Sequence, residues 1–294
     1  MRLDRTAMGV MLGLGCQQAA APATVAPAPH EARGVEQPGL APGQALPGVK
    51  HECGTYATLE HGPYQLMNNM FAREEAPGPY EQCLLQREIA GQTELGWTWS
   101  WPGFRPQSYG FPELIFGWKP WSERSTDPRL PVLLANLQRL DVRYAVQTES
   151  SGKQSLALGA WLTNTGEVTA NPRSIRTEVV VWLDYVDGIN PAGQLVETVK
   201  LKDQSYELWS ESSHGDRGDG SGWDLYYFKA AERRPSGTVQ LLPFLEHLQK
   251  QGRVQGQHFV ASVEFGSELM GGTGTTWVGD YQVFLTTATA PPQK

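Results

Sequence analysis

Two glutamates stand in runs that otherwise read as buried β-strand: Glu178 in Glu178-Val-Val-Val-Trp-Leu-Asp-Tyr185 and Glu268 in Gly266-Ser-Glu-Leu-Met-Gly-Gly271. Desolvating a carboxylate is costly, so ionised side chains avoid such runs unless chemistry needs them there. Two carboxyls on separate strands are what hydrolysis of a glycosidic bond requires, one as acid and one as nucleophile or base. In the first strand, alternation groups Glu178, Val180, Trp182 and Asp184 on one face and Val179, Val181, Leu183 and Tyr185 on the other. Around the second glutamate it groups Glu264, Gly266, Glu268 and Met270 against Val263, Phe265, Ser267 and Leu269. Two strands of one sheet could thus point Glu178 and Glu268 into a shared concavity, with Glu264 competing for the acid role. Pattern alone equally allows both faces to be solvated surface.

The elements that must position these residues are mostly period two. Glu94 to Trp101 carries Trp97, Trp99 and Trp101 on one face, and further strands are expected over 156–163, 177–185, 194–201, 205–210, 223–229, 258–265 and 281–287. Only 241–251 reads as a helix, with Leu241, Leu242, Leu245 and Leu248 on one stripe, Pro243 in the first turn and Gly252 as the stop. About a dozen strands and one helix, with 32 Gly and 21 Pro, predict an all-β, two-sheet sandwich of jelly-roll topology with a concave substrate cleft.

Residues 1–16 read as an export signal: Arg2 and Arg5 precede an apolar run too short to span a bilayer. Cys16 after Leu-Gly resembles a bacterial lipoprotein cleavage site, so lipidation of Cys16 and ordinary secretion are both open. The expected location is extracellular, or the cell surface or outer membrane of a bacterium, with any membrane tether running through Cys16. Residues 17–50 are Ala, Pro, Gly and Gln with few large apolar side chains and read as a disordered linker, followed by a folded domain over 51–287 and a tail over 288–294. An oxidising compartment would allow a Cys53–Cys83 disulfide.

A net charge of −7 with no basic run argues against a nucleic-acid partner. The six histidines show no ligand spacing, and Asp216-Arg-Gly-Asp219-Gly lacks a complete calcium-loop pattern, so neither a metal nor another cofactor is expected. Ten tryptophans could stack on sugar rings and donate their N–H to hydroxyls, yet an indole in a strand more often packs in a core. Asn68-Asn69 offers amides for hydroxyl binding or a turn.

With these motifs in place, the stretch from about Cys53 to Thr287 resembles glycoside hydrolase family 12, the compact endo-β-1,4-glucanases and xyloglucan hydrolases. Glu178-Val-Val-Val-Trp-Leu is similar to the family's Glu-x-Met-x-Trp-Leu strand, and Phe265-Gly-Ser-Glu-Leu-Met-Gly-Gly271 to its Phe-Gly-Thr-Glu-Pro-Phe-x-Gly segment. Asn68-Asn-Met-Phe71, Gln82-Cys83, Phe116-Gly-Trp-Lys-Pro-Trp121 and Tyr206-Glu-Leu-Trp209 follow in the right order. The resemblance implies Glu178 as nucleophile, Glu268 as acid/base and a Cys53–Cys83 disulfide. Asn69, Trp99, Trp118 and Trp182 become the candidates for contact with a β-glucan polysaccharide. It implies a monomeric endo-β-1,4-glucanase working by retaining double displacement, with carboxyls about 5–6 Å apart. A xyloglucan-specific hydrolase and a non-catalytic glycan-binding sandwich remain the alternatives. Gly159 of Leu158-Gly-Ala-Trp-Leu162 falls where the family carries an aspartate that supports the nucleophile.

Overall fold

The computed structural model describes residues 47–288 apart from 217 and 219. The export segment, Cys16 and most of the linker therefore lie outside the described residues. The alternating runs become β1 (Val49–Glu52), β2 (Thr58–His61), β3 (Tyr64–Asn69), β4 (Glu81–Ile89), β5 (Gln92–Phe104) and β6 (Phe111–Gly117). Then come β7 (Val132–Leu133), β8 (Leu137–Ser150), β9 (Lys153–Thr163), β10 (Ile175–Tyr185), β11 (Gln194–Leu201) and β12 (Gln204–His214). β13 (Trp223–Ala230) and β14 (Ser236–Gln240) precede the helix α1 (Leu242–Lys250) and β15 (Phe259–Thr287). Ordered structure thus starts earlier than the expected residue 51, because β1 pairs with β4.

β15 is 29 residues long and joins the two layers. Its first half lies between β6 and β9, in a layer that continues through β10, β13, β12 and β11 on one side and β3 and β2 on the other. Its second half lies between β5 and β8, in a layer flanked by β4, β1 and β14. The separate strands expected at 258–265 and 281–287 are the two ends of this one strand. The chain turns the corner at Gly271-Gly272, where φ is +145° and +80° and the register shifts. A Cβ on Gly152 would sit 2.2 Å from the Gly271 carbonyl oxygen, so only glycines let the β8–β9 turn bend beside it.

The main core fills the space between the layers. Val179, Val181 and Leu183 of β10, Val263, Phe265 and Leu269 of β15, and Trp97, Trp99 and Trp101 of β5 all point into it. Phe265 reaches Tyr144 and Tyr281 at ring distances of 5.2 Å. Each such apolar side chain contributes about 1.5–3 kcal/mol on burial. The helix covers one flank, with Phe244, Leu245 and Leu248 buried and Phe244 edge-on to both Tyr206 and Phe228 at 4.9 Å. Gly252, at φ +73°, follows it as expected. A disulfide joins Cys53 to Cys83.

The opposite face of the β10 layer forms a second cluster containing Val180, Trp182, Tyr227 and Met270. The face assignment made from alternation therefore holds through Trp182. It fails at Tyr185, which packs with this second cluster rather than the core, because a bulge between Trp182 and Asp184 inserts a residue and reverses the alternation.

Candidate active site

β9 lies between the two glutamate strands and presents Ser155, Ala157, Gly159 and Trp161 to the site face. Glu178 stands opposite Trp161 and Trp182 opposite Ala157, while Glu264 stands opposite Gly159 and Glu268 opposite Ser155. Glu178, Glu264 and Glu268 thus share one face, as expected.

Glu178 is half-buried at the start of that row. Its neighbour β10–β13 pairing is parallel, which brings Trp223 alongside, and the indole Nε1 donates to Glu178 Oε2 at 3.1 Å. Burial pushes the Glu178 carboxyl up to about 8; the Trp223 N–H opposes this, and the charges of Glu264 and Glu268 add to it.

Glu268 is 9% exposed and ringed by donors. Trp182 Nε1 donates to Oε2 at 2.6 Å, Ser155 Oγ to the same oxygen at 3.0 Å, and the Tyr227 hydroxyl to Oε1 at 2.8 Å. The small Ala157 between them leaves room for the Trp182 indole to reach across β9. Burial raises the Glu268 carboxyl above its usual value, and the three donors hold that rise back. Burial and the Glu268 charge together push the Tyr227 phenol well above its own range, so it stays a donor.

With its carboxyl pushed up to about 8, Glu178 keeps its proton at neutral pH. In the empty site the donor count favours the ionised form of Glu268. A form with Glu178 ionised and Glu268 protonated has the same proton count and differs only in where the proton sits.

A second carboxyl pair lies deeper. Lys119 Nζ bridges Glu264 Oε2 at 2.8 Å and Glu113 Oε1 at 2.9 Å. Burial works against the Lys119 charge, but the two carboxylates overcome it and hold the ammonium above its usual range. Burial, the largest single influence, would raise Glu264; the Lys119 charge together with the hydrogen bonds from Lys119 and Trp161 outweighs it and keeps that carboxyl below normal. A group held ionised is unsuited to donate the catalytic proton, which argues against Glu264 as the acid.

The expected sugar contacts fall differently. Trp118 is fully buried and its Nε1 donates to the Ser122 carbonyl at 2.9 Å. Trp99 is 3% exposed and packs in the main core. Neither presents a ring face to a ligand, because the second layer covers one and the loop after β6 the other. Trp182 is also buried, its N–H engaged by Glu268. Asn69 Nδ2 donates to Glu113 Oε1 at 2.9 Å, placing this amide in the Lys119 cluster. Asn68 instead ties β3 to its neighbours through the carbonyls of Gln82 and Gly54.

The aromatic surface near Glu178 is Trp121, 44% exposed, edge-on to Trp161 at 5.1 Å and to Trp223 at 6.1 Å. Sequence reasoning passed over Trp121, Trp223, Tyr227, Ser155, Lys119 and Glu113. A usable signal existed for Lys119 and Trp121, which share a segment with Trp118. Among the described residues, the grouped metal-ligand side chains are Cys53, Glu81 and Cys83, and both sulfurs are in the disulfide.

Comparison with known proteins identifies the family. Endoglucanase S of Pectobacterium parmentieri is 26% identical over 222 residues, 75% of this chain and 81% of that protein. Endoglucanase A of Aspergillus kawachii is 23% identical over 235 residues, covering 78% and 89%. The solved family 12 xyloglucanase of Bacillus licheniformis superposes with a TM-score of 0.72 at 23% identity, over 81% of this chain and all of that one. The profile of Glycosyl hydrolase family 12 matches residues 62–286, and the chain belongs to that family.

Proposed function

We propose that this glycoside hydrolase is an endo-β-1,4-glucanase that cleaves cellulose-like glucans by double displacement with retention of configuration. The observation that carries the reading is the contrast between two glutamates on one face. Glu178 has a single donor and an open flank, whereas Glu268 sits among three donors on neighbouring strands.

In the productive form, an ionised Glu178 oxygen bonds to the anomeric carbon as the glycosidic C–O bond breaks. Glu268 gives its proton to the departing oxygen. Water then attacks the same carbon, Glu268 takes a proton from it, and the Glu178 carboxylate leaves. Tyr227 and Trp182 keep the Glu268 carboxyl aimed through both steps, and both stabilise it when ionised between them. Trp121, with its exposed ring beside Trp161 and Trp223, takes the stacking role that Trp118 is too buried to fill.

The Cys53–Cys83 disulfide supports export to an oxidising compartment, in keeping with the N-terminal signal. A panel of carboxymethylcellulose, mixed-linkage glucan and xyloglucan, with product configuration followed by NMR, tests the reading. β-Configured first products from unbranched glucan, lost in both Glu178→Gln and Glu268→Gln, are expected. An α-configured first product, or full turnover in Glu268→Gln, would overturn it.

A further inference from the structure

Charge that the double displacement does not use lies buried behind the nucleophile. Glu113 and Glu264 are 0% and 2% exposed, bridged by Lys119. One ammonium offsets one carboxylate, so the trio is neutral when the second carboxyl keeps a proton. The donors show which one. Glu264 accepts from Lys119, from Trp161 Nε1 at 2.9 Å and from Ser262 Oγ at 3.3 Å. Glu113 takes both of its donors, Lys119 and Asn69, on Oε1, and no donor reaches its buried Oε2. Burial, and after it the Glu264 charge, raise the Glu113 carboxyl well above its usual range. Glu113 is therefore the neutral acid, and Glu264 carries the negative charge.

That charge is coupled to Glu178 by a chain of contacts. Trp161, whose N–H is on Glu264, stands opposite Glu178 in the β9–β10 register. It packs edge-on at 5.4 Å against Trp223, whose N–H is on Glu178. Gly159, the residue opposite Glu264, has no side chain to fill the intervening space; a Cβ there would meet the Glu264 Cβ at 3.9 Å.

We propose that Glu264 is the positioning residue of the nucleophile: its fixed charge, delivered from β15 beside Gly159, anchors the Trp161–Trp223 pair that orients Glu178 and supports positive charge developing on the sugar. The proposal rests on Glu178 being the nucleophile. The charged and titratable groups acting on Glu178 are Glu264 and Glu268 of β15, Lys119 after β6 and, from β13, Tyr227.

Glu264→Gln removes the charge while keeping an acceptor for Trp161. Glu113→Gln replaces a neutral acid with a neutral amide and leaves the Glu264 charge in place. In Glu264→Gln, kcat should fall about 10–100-fold, the rate equivalent of one buried charge at an effective dielectric of about 20, with KM little changed. The alkaline limb of kcat/KM should move to lower pH in Glu264→Gln and stay in place in Glu113→Gln. Without substrate, carbon-13 NMR of labelled glutamate carboxyls should show Glu178 binding its proton about tenfold more weakly in Glu264→Gln. Equal effects in the two variants, or an unmoved Glu178 titration in folded Glu264→Gln, would overturn the proposal. Should that variant not fold, Glu264→Asp keeps the charge, and a shifted alkaline limb there would overturn it instead. A wild-type protein without turnover on any β-glucan would defeat the proposed function, and the substrate-free titration would still decide this inference.

Discussion

Glu178→Gln should stabilise the folded protein, and should do so more strongly as pH rises. In the unfolded chain Glu178 ionises near 4.5, and in the folded protein burial lifts it to about 8. Between those values the folded state binds more protons than the unfolded state, so stability falls as pH rises through the window and levels off above it. Over that span the penalty is at most about 5 kcal/mol, at about 1.4 kcal/mol per unit. Because Glu178 is only half-buried, water screens part of this, leaving about 2–3 kcal/mol. Glutamine has the same shape and nothing to ionise. In a domain of this size, thermal unfolding of Glu178→Gln at pH 8 should therefore run about 5–10 °C above wild type. Near pH 4.5 the two should converge. A Tm difference that does not change with pH, or a variant less stable than wild type at pH 8, would refute the reasoning that Glu178 is strained by its own charge.

Tyr227→Phe removes the 2.8 Å donor on Glu268 Oε1, a bond to a charged group contributing about 1.5–3 kcal/mol. The acid limb of kcat/KM should move up by about 1–2 pH units, and an unmoved limb would exclude Tyr227 from setting the Glu268 charge. Cys53→Ser opens a loop with a sequence separation of 30, which the loop-entropy account values at about 3–4 kcal/mol. Urea unfolding should show that loss, with activity at room temperature retained. Trp121→Ala should raise KM about 3–10-fold at unchanged Tm, as expected for one lost stacking contact. Trp118→Ala should instead lose about 3–5 kcal/mol of stability. A chain starting at Pro47 should unfold cooperatively and keep full turnover, because β1 is then intact; loss of either would show that the preceding residues contribute to the fold.

Period-two alternation in the sequence determines which side chains of a strand travel together. That was enough to place Glu178 with Trp182, to place Glu264 with Glu268, and to put Val179, Val181, Phe265 and Leu269 on the core side. Glycine, proline and the lone leucine stripe likewise determined the one helix. Alternation does not say what lies against a face, and there the reading from sequence stopped. Trp99 and Trp118 have the composition of sugar contacts but are covered by a second layer and by a loop, while Trp121, three residues beyond Trp118, is left open. The bulge after Trp182 moved Tyr185 to the other side with no mark in the local sequence. The Glu113–Lys119–Glu264 cluster draws on residues up to 151 positions apart, and its charges depend on water being excluded from all three at once. Desolvation is a property of the packed layers rather than of any segment. The two candidate carboxyls, Glu178 and Glu268, are legible in the sequence as two anomalous strands; which of them holds the proton is decided only by the burial and the donors that tertiary structure brings to each.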